Sequence, residues 1–136
     1  MNSKNKQNKI GILLTASGGL GIPSLIDCLR YNYEKKKIKI VCTDTSYQSI
    51  ADLKADKFYT VPKGNSKNYL NHIIKICKKE NIQIIMPGSA LEINALSKNI
   101  KKLKNNNIIP TVSDYKVISK LSNKAKLYSN KRYWNT

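Results

Sequence analysis

The chain has 136 residues, 40% of them hydrophobic and 24% charged, which is enough for one domain with a real core. Its formal charge of +17 would ordinarily point to a polyanionic partner. No apolar run is long enough to span a bilayer or serve as a secretion signal, so a cytoplasmic protein is expected, with no membrane partner.

Residues 1–8 are polar and read as a flexible lead-in. Lys9 to Thr15 is a continuous apolar run, as expected of a strand covered on both faces. The turn Ala16-Ser17-Gly18-Gly19-Leu20-Gly21 follows. Ile22, Leu25, Ile26 and Leu29 then recur at helical spacing, with Pro23 tolerated in the first turn. Ile38 to Thr43 is a second strand ending at Asp44, and a short helix over Ser46 to Lys54 leads to a brief strand, Phe58 to Val61. Ser66 is placed to cap a helix carrying Leu70, Ile73, Ile74 and Cys77. Ile82 to Met86 is the next buried strand, stopped by Pro87-Gly88. A helix with Ile93, Leu96, Ile100 and Leu103 on one face precedes the last strand, Ile108 to Val112. Ser113 opens a final helix through Ile118 and Leu121. Strands alternating with amphipathic helices predict an α/β, three-layer, Rossmann-like domain with a mostly parallel sheet of four or five strands.

The chemistry-bearing candidates sit at strand ends. Ser17, Gly18, Gly19 and Gly21 lie between a strand and a helix, where backbone amides can approach a phosphate; the same glycines could equally serve only a tight turn. Asp44 ends the second strand, where an acid can hold a ribose hydroxyl. Ser89-Ala90-Leu91-Glu92 is a capping-box pattern after a Pro-Gly turn, and Glu92 could alternatively face a substrate.

Other chemistries find no support. Cys28, Cys42 and Cys77 are widely spaced with His72 the sole histidine, which argues against a metal site and for buried free thiols. Lys63-Gly64-Asn65-Ser66 is a turn and not a phosphate loop. The positive charge is nearly all lysine, Arg30 and Arg132 being the only arginines, and the basic runs read as not interleaved with stacking aromatics. No nucleic-acid partner is expected.

The glycine loop also resembles that of short-chain dehydrogenases, but Thr15 stands where that loop begins with glycine. The Tyr31–Lys35 and Tyr33–Lys37 pairs fall too early for the catalytic pair of that family. A free-standing NAD(P)-binding domain of the dehydrogenase/epimerase type is therefore the alternative reading, and a non-enzymatic partner-binding domain is a third.

In order along the chain, ILLTASGGLGIPSLIDCLR (12–30), IVCTDTS (40–46), ADKFYTVPKG (55–64), IQIIMPGSALEINALSKN (82–99) and TVSDYKVISKLSNKAKLY (111–128) resemble the domain that precedes the ATP-grasp fold in ATP-grasp ligases. The resemblance is to the carbamoyl-phosphate-synthase-like branch in particular. It rests on Ala55-Asp56 with Phe58 and Pro62, on Pro87-Gly88 with Glu92, and on Lys124. It implies a pre-ATP-grasp domain over residues 9–128, and a tail at 129–136 where an ATP-grasp region would begin. The whole family architecture uses ATP and magnesium to activate a carboxylate for attack by an amine or similar nucleophile. No catalytic residue, cofactor or metal is assigned to this chain alone. The missing lobes would come from a C-terminal region or a separate chain. The resemblance places Ser17, Gly18, Gly19, Gly21, Asp44, Ser89 and Glu92 nearest a small-molecule substrate.

Overall fold

The computed structural model describes residues 9–47 and 50–121. The expectations for residues 1–8, for Lys124 and for the tail fall outside them. The elements in chain order are β1 (Ile10–Thr15), α1 (Ile22–Arg30), β2 (Ile38–Asp44), α2 (Ile50–Lys54), β3 (Lys57–Thr60) and α3 (Tyr69–Glu80). They continue with β4 (Ile84–Met86), α4 (Ala90–Lys98), α5 (Ile100–Lys104), β5 (Ile109–Pro110) and α6 (Tyr115–Leu121).

All five strands are parallel, in the order β3-β2-β1-β4-β5. The central strand, β1, alternates its side chains between two cores, which is why its sequence is apolar throughout. Ile12 and Leu14 join Ile40 and Cys42 beneath Ile26 of α1 and Ala51 of α2. Leu13 joins Val41 and Ile85 against Tyr69, Ile73 and Cys77 of α3, with Leu96 and Leu103 from α4 and α5. The result is the expected three-layer α/β arrangement.

Local differences from the expected elements have identifiable causes. The helix expected from Ser66 begins at Tyr69. Ser66 instead accepts a hydrogen bond from the Asn68 amide at 3.4 Å inside a turn, and Asn68 provides no side-chain cap. The helix expected through Ile93 to Leu103 is broken at Asn99, whose φ of −121° leaves the helical region and whose Nδ2 donates to the Ala95 carbonyl at 2.8 Å. The last strand pairs over only two residues, Ile109 and Pro110; the Ile109 and Thr111 amides donate to the Gln83 and Ile85 carbonyls, and Pro110 falls between them at the sheet edge, where its missing amide costs no ladder bond. Cys28 departs from the expected buried thiol: it lies on the exposed side of α1, whereas Cys42 and Cys77 are buried.

The topology fixes where a site can form. The chain runs outward from β1 through β2 to β3, then returns past β1 to β4. The switch point therefore lies between the carboxyl ends of β1 and β4, where open α/β sheets bind their ligands.

Candidate functional site

Three segments converge at that switch point. Thr15 closes β1, and Ala16 turns the chain with a φ of +50°. The left-handed residue of the turn is thus an alanine, and no described glycine in the chain has a positive φ. Ser17 then docks its amide on the Thr43 carbonyl at 3.1 Å, and Gly18 donates its amide to Asp44 Oδ2 at 2.6 Å. Asp44 Oδ1 accepts from the Thr45 amide at 2.6 Å. Asp44 thus clamps the glycine loop to the end of β2, with both carboxylate oxygens engaged. Since Gly19 donates to the Ala16 carbonyl at 3.3 Å, three of the loop amides offered for a phosphate are already used within the chain.

The outer arc of the loop is open. A side-chain carbon built at Gly21 would meet nothing within 4 Å, and one at Gly19 would make only ordinary contacts at 3.6 and 3.8 Å. Packing within the domain requires neither glycine. Gly88 differs, because a Cβ there would lie 2.5 Å from the Thr15 carbonyl oxygen. This close approach draws the β4 end against the β1 end and brings α4 to the loop.

Ser89 caps α4, with its hydroxyl accepting from the Glu92 amide at 3.4 Å. The reciprocal half of the expected capping box does not form. Glu92 turns its carboxylate inward, where Oε2 accepts a hydrogen bond from Thr15 Oγ1 at 2.5 Å. The residue is only 5% exposed. Burial pushes its carboxyl above the ordinary value of 4.5; the hydroxyls of Thr15 and Ser89 oppose this, and the nearby Asp44 charge adds to it. Gly64 closes the other side, as a Cβ there would fall 2.8 Å from the Glu92 amide nitrogen.

Tyr69 completes the cluster from α3. Its side chain is fully buried and its hydroxyl has no hydrogen-bond partner. Burial, with the Glu92 charge alongside, shifts that phenol strongly upward. The hydroxyls of Ser17 and Thr43 are likewise buried without a partner, so three unsatisfied hydroxyls line this end of the sheet. Chemically, the cluster offers a carboxyl able to carry a proton nearer neutrality than an ordinary one, with unused donors beside it.

Of the residues expected from sequence, Ser89 and Glu92 are joined to the loop through Thr15, and Ser17, Gly18 and Asp44 form the adjoining clamp. Gly19 and Gly21 lie on the outer arc. Thr15, Gly64 and Tyr69 were not among the expected site residues. Thr15 carried one signal, as the residue occupying a glycine position, whereas Tyr69 and Gly64 depend on contacts between distant segments. Among the described residues no three His, Cys, Asp or Glu side chains converge to hold a metal. The carboxylates of Asp44 and Glu92 each have hydrogen-bond partners within the chain.

Comparisons with known proteins bear on the family and the fold. The family model for the PylC-like N-terminal domain matches residues 12–112. The chain belongs to this family. The matched span runs from β1 to just past β5 and includes Thr15, the glycine loop and Glu92. Comparison with curated proteins finds no significant match. Among solved structures, N5-carboxyaminoimidazole synthetase from Staphylococcus aureus, complexed with ADP, superposes with a TM-score of 0.62 at 16% identity, covering 93% of this chain and 31% of that one. Glycinamide-RNase-transformylase T from Mycobacterium tuberculosis gives 0.60 at 11% identity, with coverages of 93% and 36%. The biotin carboxylase subunit of a pyruvate carboxylase gives 0.60 at 20% identity, with coverages of 88% and 26%. The PylC-like domain therefore has the fold of the N-terminal, pre-ATP-grasp domain of ATP-grasp enzymes, and it spans about a third of such chains or less. The family match and these neighbours do not favour the dehydrogenase-type alternative. Among the described residues no helix is long and apolar enough to cross a membrane.

Proposed function

We propose that this chain forms the substrate-facing wall of an ATP-grasp ligase. The catalytic lobes, which hold ATP and magnesium, would be supplied by a further region or a separate chain. In this reading ATP activates a carboxylate as an acylphosphate, which an amine or similar nucleophile attacks. The carbamoyl-phosphate-synthase-like order of motifs is the finer version of the same proposal. The wall consists of Ser17 to Gly21, Asp44 and the Ser89–Glu92 turn.

One observation carries the reading: the Thr15–Glu92 lock at the switch point, beside a glycine arc whose glycines the packing within the domain does not require. Leu20 is wholly exposed, and Ile50 and Leu53 at the start and middle of α2 are 65% and 88% exposed. Leu20 stands on the glycine arc, and the exposed aliphatic residues of α2 add apolar surface that a packed lobe would shield from water. A catalytic lobe packed there would cover them and close the substrate space.

The chain's role in the reaction is to shape and polarise that space. Glu92, held by Thr15, would accept the proton that an amine at the loop edge gives up as it attacks, and Asp44 keeps the loop in position. The test is to produce the chain together with an ATP-grasp region encoded beside it. We expect a complex on gel filtration, and ADP release that depends on a carboxylate and an amine from a panel. Glu92→Gln in the complex should depress that release without dissociating the two parts. An absence of complex and of ADP release, with the chain stabilised by NADPH and not by the ATP-grasp region, would overturn the proposal.

A further inference from the structure

The opposite end of the sheet carries a second feature. At the amino ends of β1 and β2 lies an open cavity of about 660 Å³, lined by Lys9, Arg30, Tyr31, Lys35, Lys36 and Lys37 among others. The loop that carries most of these residues is preset. Asn32 donates through Nδ2 to the Leu29 carbonyl at 2.9 Å and to the Lys36 carbonyl at 3.0 Å, and its Oδ1 accepts from the Lys36 amide at 2.8 Å. Lys35 takes a left-handed φ of +53°, with its amide on the Asn32 carbonyl at 3.0 Å. One asparagine thus folds Tyr31 to Lys37 into a fixed turn.

The charge there has little local compensation. Arg30 pairs with Asp56 at 3.3 Å, and Lys36 with Glu34 at 3.6 Å in an exposed contact. Lys9, Lys35 and Lys37 pair with no carboxylate among the described residues. The rest of the chain supplies none either: no acidic residue precedes Asp27 or follows Asp114. Two aromatic rings stand out from the same turn, Tyr31 at 87% and Tyr33 at 100% exposure. This revises the expectation of basic runs without stacking aromatics, because the fold places both rings on the lysine-bearing turn.

We infer that this basic turn is a binding surface for single-stranded nucleic acid. Lys9, Lys35 and Lys37 would track the phosphates, and Tyr31 and Tyr33 would offer faces on which bases stack. Free-standing lysines explain attraction to any polyanion. Two exposed rings on a turn fixed by Asn32 favour a polyanion that carries bases. The surface lies at the other end of the strands from the Thr15–Glu92 cluster, so it is independent of the proposed ligase role.

Fluorescence anisotropy of the full chain with a labelled oligodeoxythymidine of about 16 nucleotides tests this, between about 50 and 200 mM salt. Tyr31→Ala with Tyr33→Ala should weaken binding by roughly thirtyfold or more and leave the salt slope unchanged. Lys35→Gln with Lys37→Gln should lower the log–log salt slope by about 1.4, from about 0.7 per phosphate contact. Lys101→Gln with Lys104→Gln, on α5, removes equal charge elsewhere and should change neither. The proposal fails if no saturable binding occurs at the lowest salt, or if the tyrosine variant binds like the parent. It fails equally if the α5 variant loses as much slope, or if polyglutamate of matched charge displaces the probe as well as unlabelled oligonucleotide does. All the altered side chains are exposed, so an unchanged circular dichroism spectrum separates lost binding from lost fold.

Discussion

Replacing Thr15 by valine keeps the shape of the side chain and removes the donor that holds Glu92. The hydrogen bond spans 2.5 Å between a fully buried hydroxyl and a carboxylate that is 5% exposed. Hydrogen bonds to charged groups stabilise by about 1.5–3 kcal/mol, and neutral ones by nearer 1 kcal/mol. The penalty should therefore depend on whether Glu92 is ionised. Its carboxyl titrates above 4.5 in the folded state, because burial opposes the charge more strongly than Thr15 and Ser89 favour it. Between the unfolded and folded values the native state binds more protons, so Glu92 lowers stability as pH rises through that window. Removing Thr15 raises the folded value further, and the variant should lose additional stability on the alkaline side.

Urea unfolding of parent and Thr15→Val at intervals from about pH 5 to 8 measures this, with Glu92→Gln as the background that cannot ionise. We expect a penalty that grows with pH, from near 1 kcal/mol where the carboxyl is protonated towards about 2–3 kcal/mol where it is ionised. The latter corresponds to a fall in melting temperature of about 10 °C for a domain of this size. Thr15→Ser retains the hydroxyl and should show a smaller loss that is flat with pH. In the Glu92→Gln background the pH dependence of the Thr15→Val penalty should vanish. A penalty constant across the range, or one that survives in that background, would refute the assigned coupling.

Three further outcomes follow from the same geometry. Gly88→Ala should cost several kcal/mol, since its Cβ would lie 2.5 Å from the Thr15 carbonyl, whereas Gly21→Ala should stay within about 0.5 kcal/mol in thermal unfolding. A native thiol-reagent titration should modify Cys28 alone at first, because burial pushes Cys42 up to about 11 and Cys77 up to about 12; denatured protein should give three equivalents. Glu80 accepts from Lys39 Nζ at 2.7 Å and from the Tyr59 hydroxyl, and these partners hold its carboxyl below the ordinary range. Their contribution is fully present above about pH 4.5 and is lost as pH falls through the depressed value, so Glu80→Gln should cost about 1–2 kcal/mol at pH 7 and progressively less in acid.

The layered fold was legible in the sequence because its signal is local and redundant. β1 and β2 announce themselves by unbroken apolar runs, which only a sheet covered on both faces produces, and the two cores then take alternate residues of one strand. The helix ends were less legible. Ser66 and Asn68 are both capable of capping, yet the helix begins at Tyr69 with no side-chain cap and Ser66 is used inside the preceding turn. Asn99 looked like one more polar residue on a long helix, yet its side chain satisfies the Ala95 carbonyl and the helix divides there.

The candidate site shows most clearly why local reading stops short. Ser89 and Glu92 match a capping box, and that pattern predicts a carboxylate folded back on its own helix. The structure keeps the first half, through Ser89, and spends the second on Thr15, 77 residues earlier in the chain. The exchange is possible only because β4 returns beside β1, and because Gly88 lets the two strand ends approach more closely than any side chain would permit. A box closed within α4 would have left Glu92 at the surface with an ordinary carboxyl. Directed inward beside Tyr69, the same side chain carries a raised proton affinity and ties the glycine loop to the helix that follows β4. The topology, and not the motif, therefore turns a helix-capping residue into a candidate for chemistry. For that reason Thr15, which matches no motif, is the residue whose replacement tests the site most directly.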